Sequence, residues 1–262
     1  MLDTIHPVRF LKPMGAGRTK PSLIECEKAD GSIVEVVVKC SSGTIQGCHD
    51  LGVEAVTGMV AADLGLPIPE FFAVELDSAF IDLVDDQEAQ QALRTSDVFA
   101  FGSKALPGGF NVWGKDQPIP DSLCIAAAEV FTFDAIVING DRRPDNPNCL
   151  FSGTDFAIID HELCFAHELF WIEPWLEGGF RTRSASAEHI FAKPRMIRCP
   201  DALPRFEEAW DVIEPNRVDE YFHALPRSWA FPSDKQERIK NLLLNAKANI
   251  AQVVQQSLGA LR

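Results

Sequence analysis

The residues best suited to chemistry lie in one stretch: Asn139-Gly140-Asp141-Arg142-Arg143-Pro144-Asp145-Asn146-Pro147-Asn148-Cys149-Leu150, followed by Phe156-Ala157-Ile158-Ile159-Asp160. A carboxylate, Asp141, opens a polar loop. An amide, Asn146, comes five residues later, and a second carboxylate, Asp160, ends a short apolar run. Phosphoryl transfer uses such a set: one carboxylate to orient or deprotonate the acceptor hydroxyl, and an amide oxygen with another carboxylate to hold Mg²⁺. Magnesium needs few protein ligands, because nucleotide oxygens and water fill the other positions. Asn148 directly precedes the Cys149-Leu150 run, so it competes with Asn146 as the amide ligand, and both stay open. Arg142 and Arg143 flank Asp141 and are expected to favour its charged form. On a purely structural reading, the stretch is a turn rich in Asx residues that satisfy their own backbone.

Upstream, Lys39 ends the run Val36-Val37-Val38. A lysine there can reach nucleotide phosphates, and Glu54, on the helix that follows, can hold it in place. The alternative is an edge-strand lysine that blocks aggregation. Before it lies Met14-Gly15-Ala16-Gly17-Arg18-Thr19-Lys20-Pro21-Ser22. A glycine-containing turn between strands lets backbone amides approach phosphate, which makes Gly15, Gly17, Arg18, Thr19, Lys20 and Ser22 nucleotide-binding candidates. It is not a Walker loop.

These residues need elements to position them. Pro21–Glu27 and Ile33–Cys40 read as strands joined by a turn at Ala29-Asp30-Gly31-Ser32. Asp50–Leu64 reads as a helix capped by Asp50 and ended by Gly65. Phe71–Leu76 reads as a strand, residues 78–95 as weakly helical, and Phe101–Pro120, with its Gly and Pro residues, as a loop. A nearly all-apolar helix is expected from Asp121 to about Val137, buried at the centre of its lobe. Cys149–Phe151 and Phe156–Ile159 read as short strands. The remainder from about Glu173 reads as helical with breaks, with an amphipathic helix over 234–257. The fold class is therefore α+β: a small β-rich N-terminal lobe with one helix over residues 1–77, and a larger helical lobe over 78–262.

Composition narrows the classes. The 262 residues carry a net charge of −14, with 38 acidic against 24 basic side chains. Nucleic-acid binding needs clustered Lys and Arg, which the chain lacks, so no nucleic-acid partner is expected. No apolar run reaches a membrane-spanning length, and the first residues lack a signal-peptide pattern. The expected location is cytoplasmic. The seven cysteines are scattered, without C-x-x-C spacing, and read as free thiols. Zinc is disfavoured because His161 and His167 are six residues apart rather than the four of an H-E-x-x-H site. No G-x-S-x-G nucleophile elbow occurs.

The block from Asp141 to Asp160 resembles the catalytic and metal loops of the protein-kinase-like superfamily, most closely the HipA-like kinases, with a fainter likeness to phosphatidylinositol kinases. Its Asp141-Arg142 start is similar to theirs and differs from the His-Arg-Asp of ordinary protein kinases. Ala61-Ala62-Asp63-Leu64-Gly65-Leu66-Pro67-Ile68-Pro69 is similar to their helix-to-strand passage, so the resemblance covers about residues 14–165. It implies a two-lobed kinase-like fold that uses ATP and Mg²⁺, with lobes joined near Leu76–Ser78 and Lys39 and Asp160 facing one nucleotide. It gives Lys39, Glu54 and Asp141 the catalytic roles, Glu75 and Leu76 a part in nucleotide binding, and Asn146 or Asn148 with Asp160 the metal. The acceptor it implies is a Ser or Thr of a protein, and an antitoxin-like partner is possible within such a family. The alternatives are a small-molecule kinase, or a kinase-fold nucleotide-binding or regulatory module with weak catalysis. Asp160 is followed by His161-Glu162 rather than Phe-Gly, so the usual kinase switch is not implied.

Overall fold

The computed structural model describes residues 2–15, 19–165, 189–192, 196 and 198–262. The described chain is a mixed α+β protein that divides into two compact units. The first comprises 1–56, 69–107 and 220–233, and the second 57–68, 108–219 and 234–262. The boundary expected at residue 77 does not coincide with this division.

The first unit is built on a five-stranded closed barrel. Its strands are β1 (Thr4–Pro13), β2 (Ser22–Glu27), β3 (Ile33–Lys39), β4 (Phe71–Glu75) and β5 (Phe99–Lys104), in the order β1-β2-β3-β5-β4. Parallel pairing of Thr4 with Ala73 and Ile5 with Val74 closes it, and the other pairings are antiparallel. The β2–β3 hairpin turns at Asp30-Gly31 as expected, with the Asp30 carboxylate accepting from the Ser32 amide at 2.9 Å. Alternation then puts Ile24, Cys26, Val34, Val36 and Val38 into the core, together with Phe72, Val74 and Ala100.

The largest departure from the sequence reading is β5. Glycine and proline mark its surroundings as loop, yet Phe99–Lys104 is a strand. Gly102 is there for packing: a Cβ on it would lie 2.6 Å from Cγ2 of Val74 on the neighbouring strand. β1 also has no counterpart in the sequence reading.

The expected single helix of this lobe has companions. Helix α1 spans Cys48–Asp63, beginning two residues before Asp50, and the division between units falls within it. Asp50 is thus not its cap but a first-turn acid, accepting from the Gln46 amide at 2.9 Å. The weakly helical stretch resolves into α2 (Ser78–Asp82) and α3 (Gln87–Arg94), each capped by an aspartate, Asp77 and Asp86. Phe80, Ile81, Val84, Ala89 and Leu93 add their apolar faces to the barrel core.

In the second unit, α4 (Cys124–Ile136) is almost wholly buried, as its apolar run requires. A small sheet of β6 (Asn111–Val112), β7 (Cys149–Phe151) and β8 (Phe156–Ile158) lies in the order β6-β7-β8. Helices α5 (Pro204–Ala209), α6 (Pro215–His223), α7 (Ser233–Ala248) and α8 (Ile250–Leu261) follow. The single C-terminal helix expected over 234–257 is two helices. The break is at Asn249, whose side-chain amide donates back to the Asn245 carbonyl at 2.9 Å and competes with continuation. α8 reaches α4 through a buried hydroxyl pair, Thr132 and Ser257, 2.6 Å apart. No helix among the described residues is long and apolar enough to cross a membrane.

Candidate active site

In the first unit, β3 carries Lys39 to its end, opposite Phe101 of β5. The lysine is buried, and its Nζ lies 3.0 Å from Oε2 of Glu54 on α1. Two charges this far from solvent require each other. The strand and the helix that the sequence assigned to them thus bring Lys39 and Glu54 together.

The loop before β2 is closed by the Met14 amide donating to the Pro21 carbonyl at 2.8 Å. Thr19 and Ser22 are buried beside it, while Lys20 is exposed, has a φ of 45°, and pairs with Glu88 of α3. Gly43 supports this loop from below: a Cβ on it would lie 2.5 Å from the Thr19 carbonyl oxygen. Space is open around the Cβ position of Gly15, and Gly17 and Arg18 lie outside the described residues.

Glu75 and Leu76 are placed differently from the expectation. Leu76 is buried in the barrel core with its amide bonded to the Val98 carbonyl at 2.8 Å, and Glu75 faces His6 at 3.6 Å. The chain runs on from them into α2 and returns along β5. Residues 69–107 all belong to the first unit.

In the second unit, the end of α4 builds the loop. Ile138 turns the chain with a φ of 58°. Asn139 then donates its side-chain amide to Asp134 Oδ1 at 2.9 Å and accepts from the Asp141 amide at 3.1 Å. This fixes the backbone of Asp141, whose carboxylate is partly exposed. Its Oδ2 accepts from the side chains of both Asn146, at 2.8 Å, and Asn148, at 3.2 Å. Each amide spends an N–H on Asp141, which leaves its Oδ1 an acceptor. The two asparagines therefore remain equivalent as candidate ligands.

Arg142 does not flank Asp141 as expected. It turns inward, fully buried, and pairs with Asp134 of α4, Nε to Oδ2 at 2.6 Å. Only Arg143, half exposed, approaches Asp141, at 3.7 Å. His189 covers the same Asp134 oxygen, with Nε2 at 2.8 Å. Its Nδ1 accepts from the Phe191 amide at 3.1 Å, so the proton sits on Nε2. Burial would raise the Asp134 pKa, but the Arg142 charge and the His189 hydrogen bond outweigh it and hold the carboxyl below its usual range. This buried group was missed. The available signal was a lone carboxylate in the mostly apolar run from Phe131 to Ile136.

The β7–β8 hairpin starts and ends on residues with left-handed backbone, Asn148 at φ 44° and Asp160 at φ 62°. They are neighbours through the Ile159 amide, which donates to the Asn148 carbonyl at 3.0 Å. Asn and Asp adopt such backbone more readily than other side chains do. The donors collected at this root are a carboxylate and amide oxygens, the ligand class of Mg²⁺. The adjacent Cys149 is buried, and burial pushes its thiol up to about 12. The residues present therefore fit magnesium. His167, the other histidine weighed for zinc, lies outside the described residues.

A family model of HipA-like kinases matches residues 8–258. The chain belongs to the HipA-like kinase family. The match extends well past the stretch around 14–165 that carries the sequence resemblance, and takes in nearly the whole helical second half. No curated protein matches. Among solved structures, the crystal structure of CtkA, a Helicobacter pylori proinflammatory kinase, aligns over 100% of both chains with a TM-score of 0.57 and 12% identity. At that identity the likeness speaks for the fold alone. As a HipA-like kinase the chain falls in a class of phosphotransferases, and its α+β architecture is that of a kinase.

Proposed function

We propose that this HipA-like kinase transfers the γ-phosphate of Mg-ATP to an alcohol, specifically a Ser or Thr hydroxyl of a protein. The observation that carries the reading is the Asp141 carboxylate, held by Asn146 and Asn148, on the loop that leads into the hairpin rooted at Asp160. In this reading Asp141 takes the proton of the acceptor O–H. The oxygen bonds to the γ-phosphorus, the bond from that phosphorus to the β,γ-bridging oxygen breaks, and ADP leaves. Lys39, aligned by Glu54, contacts the phosphates, and the loop around Thr19, Lys20 and Ser22 approaches them through its backbone. Asp160 and one of the two asparagines would hold the magnesium, which neutralises charge on the phosphate oxygens.

The test is incubation with labelled ATP and Mg²⁺ in the presence of a cell lysate, followed by mass spectrometry of protein and small-molecule fractions, with Asp141→Ala in parallel. Label on Ser or Thr of a lysate protein that disappears with Asp141→Ala is the expected result. Label confined to a metabolite makes it a small-molecule kinase. Mg-ATP binding without transfer to any acceptor makes it a nucleotide-binding module.

A further inference from the structure

Arg142 bonds to groups from four places in the second unit. Nε and Nη2 fork onto Asp134 of α4, at 2.6 Å and 3.2 Å. Nη2 also faces His161 Nε2 at 3.1 Å. Nη1 donates to the backbone carbonyl of Asn148 and, at 3.3 Å, to that of Ile159. The guanidinium is planar, so these directions are fixed relative to one another. Two of its acceptors are the carbonyls at the entry and exit of the β7–β8 hairpin. One belongs to Asn148 itself and the other to the residue before Asp160. His161, immediately after Asp160, is the third contact on that side.

We infer that Arg142 is a positioning residue for the metal: held by Asp134, it sets the separation of the two hairpin ends and so the convergence of Asp160 with the asparagine ligand. The inference rests on the kinase reading given above. Three features favour this role over simple core filling. One guanidinium nitrogen, Nη1, takes both the Asn148 and the Ile159 carbonyl and so ties the hairpin's entry to its exit. Its bonds on that side fall on main-chain carbonyls and on His161, not on the side-chain oxygens that would hold the metal. Asp134 in turn is fixed from three directions, by Arg142, His189 and Asn139, so the anchor is rigid.

The experiment measures Mn²⁺ binding by electron paramagnetic resonance in the presence of a non-hydrolysable ATP analogue. Wild type is compared with Arg142→Lys, and nucleotide affinity in EDTA and thermal melting are followed on both. Lysine keeps a charge for Asp134 but, as a point donor, cannot span both carbonyls. The expected result is a Mn²⁺ Kd raised about 10- to 100-fold, with metal-free nucleotide affinity within about twofold of wild type. Transfer activity should recover at saturating metal. A folded Arg142→Lys with wild-type Mn²⁺ affinity overturns the inference. The wild-type chain supplies a second measurement that does not depend on the variant folding. The ¹⁵N resonance of the Arg142 Nε–H should shift on adding metal with nucleotide and not on adding nucleotide in EDTA; an unmoved resonance overturns the inference as well. Wild type with no metal-dependent nucleotide binding would overturn the kinase reading itself, and the inference with it.

Discussion

The Lys39 ammonium lies 3.0 Å from the Glu54 carboxylate, with both side chains almost fully withdrawn from water. Glu54→Gln removes the charged partner of this contact, so it should lower the unfolding free energy, read from a urea titration, as well as slow transfer. Lys39→Ala should raise the KM for ATP. Wild-type kinetics in both variants would remove the pair from nucleotide positioning.

If Asp141 acts on the acceptor and not on the nucleotide, as proposed, Asp141→Ala should bind Mg-ATP like wild type and transfer phosphate at least about 100-fold more slowly. Nucleotide titration and single-turnover transfer on the same preparation separate the two effects. Retention of full activity would exclude it as the base.

The metal ligands can be assigned by substitutions matched to the backbone. Asp160 has a φ of 62°, a conformation that asparagine tolerates, so Asp160→Asn removes charge with little strain. It should abolish most Mg²⁺-dependent nucleotide binding. Asn148, at φ 44°, is better replaced by glycine than by alanine for the same reason. Asn146→Ala and Asn148→Gly, compared in Mg²⁺ titrations of transfer, identify the ligand as the one whose loss raises the Mg²⁺ requirement.

Acid stability should depend on Asp134. Its folded pKa is depressed, the Arg142 charge and the His189 hydrogen bond outweighing the effect of burial. A depressed carboxyl contributes stability above its unfolded value, near 3.9, and loses it as the pH falls toward the folded value. The melting-temperature gap between wild type and Asp134→Asn should be widest above about pH 5 and narrow steadily below about pH 4. A gap constant from pH 7 to pH 2 would rule out this linkage.

Gly43 has no room for a side chain under the Thr19 carbonyl, where a Cβ would come within 2.5 Å. Gly43→Ala must displace one backbone or the other. If the loop of Thr19 and Ser22 contacts phosphate, the variant should show a raised KM for ATP while the rate at saturation stays within about threefold, as removal of uniform binding does. An unchanged KM would place the nucleotide elsewhere.

The candidate site was more legible in the sequence than the fold around it. Lys39 and Glu54 announce themselves through a valine-rich strand and a helix at the right interval, and their contact follows from those local patterns. Asp141, Asn146, Asn148 and Asp160 sit in one short stretch, so no long-range information was needed to group them. β5 was hidden because Gly102 reads as a breaker, whereas its purpose is set by Val74 on another strand. Arg142 was misassigned for a related reason. Adjacency in sequence to Asp141 says nothing about direction, and the partner that turns it inward lies a helix end away at Asp134. The split at Asn249 depends on one side chain bonding back to the preceding turn, which an amphipathic pattern does not reveal.

The first unit takes its last piece from residues 220–233. There the Ala224 carbonyl receives the Leu2 amide at 2.9 Å, and the Trp229 indole N–H reaches the Phe99 carbonyl at 3.0 Å. A ribosome emitting this chain has released the whole barrel long before it releases these residues. The barrel must wait, with its Leu2 end and the Phe99 strand unfinished, while more than a hundred intervening residues emerge. Closure across such a sequence separation is slow. A chain interrupted before residue 220 would hold the barrel without these two contacts, and it should be the more open to proteases for that.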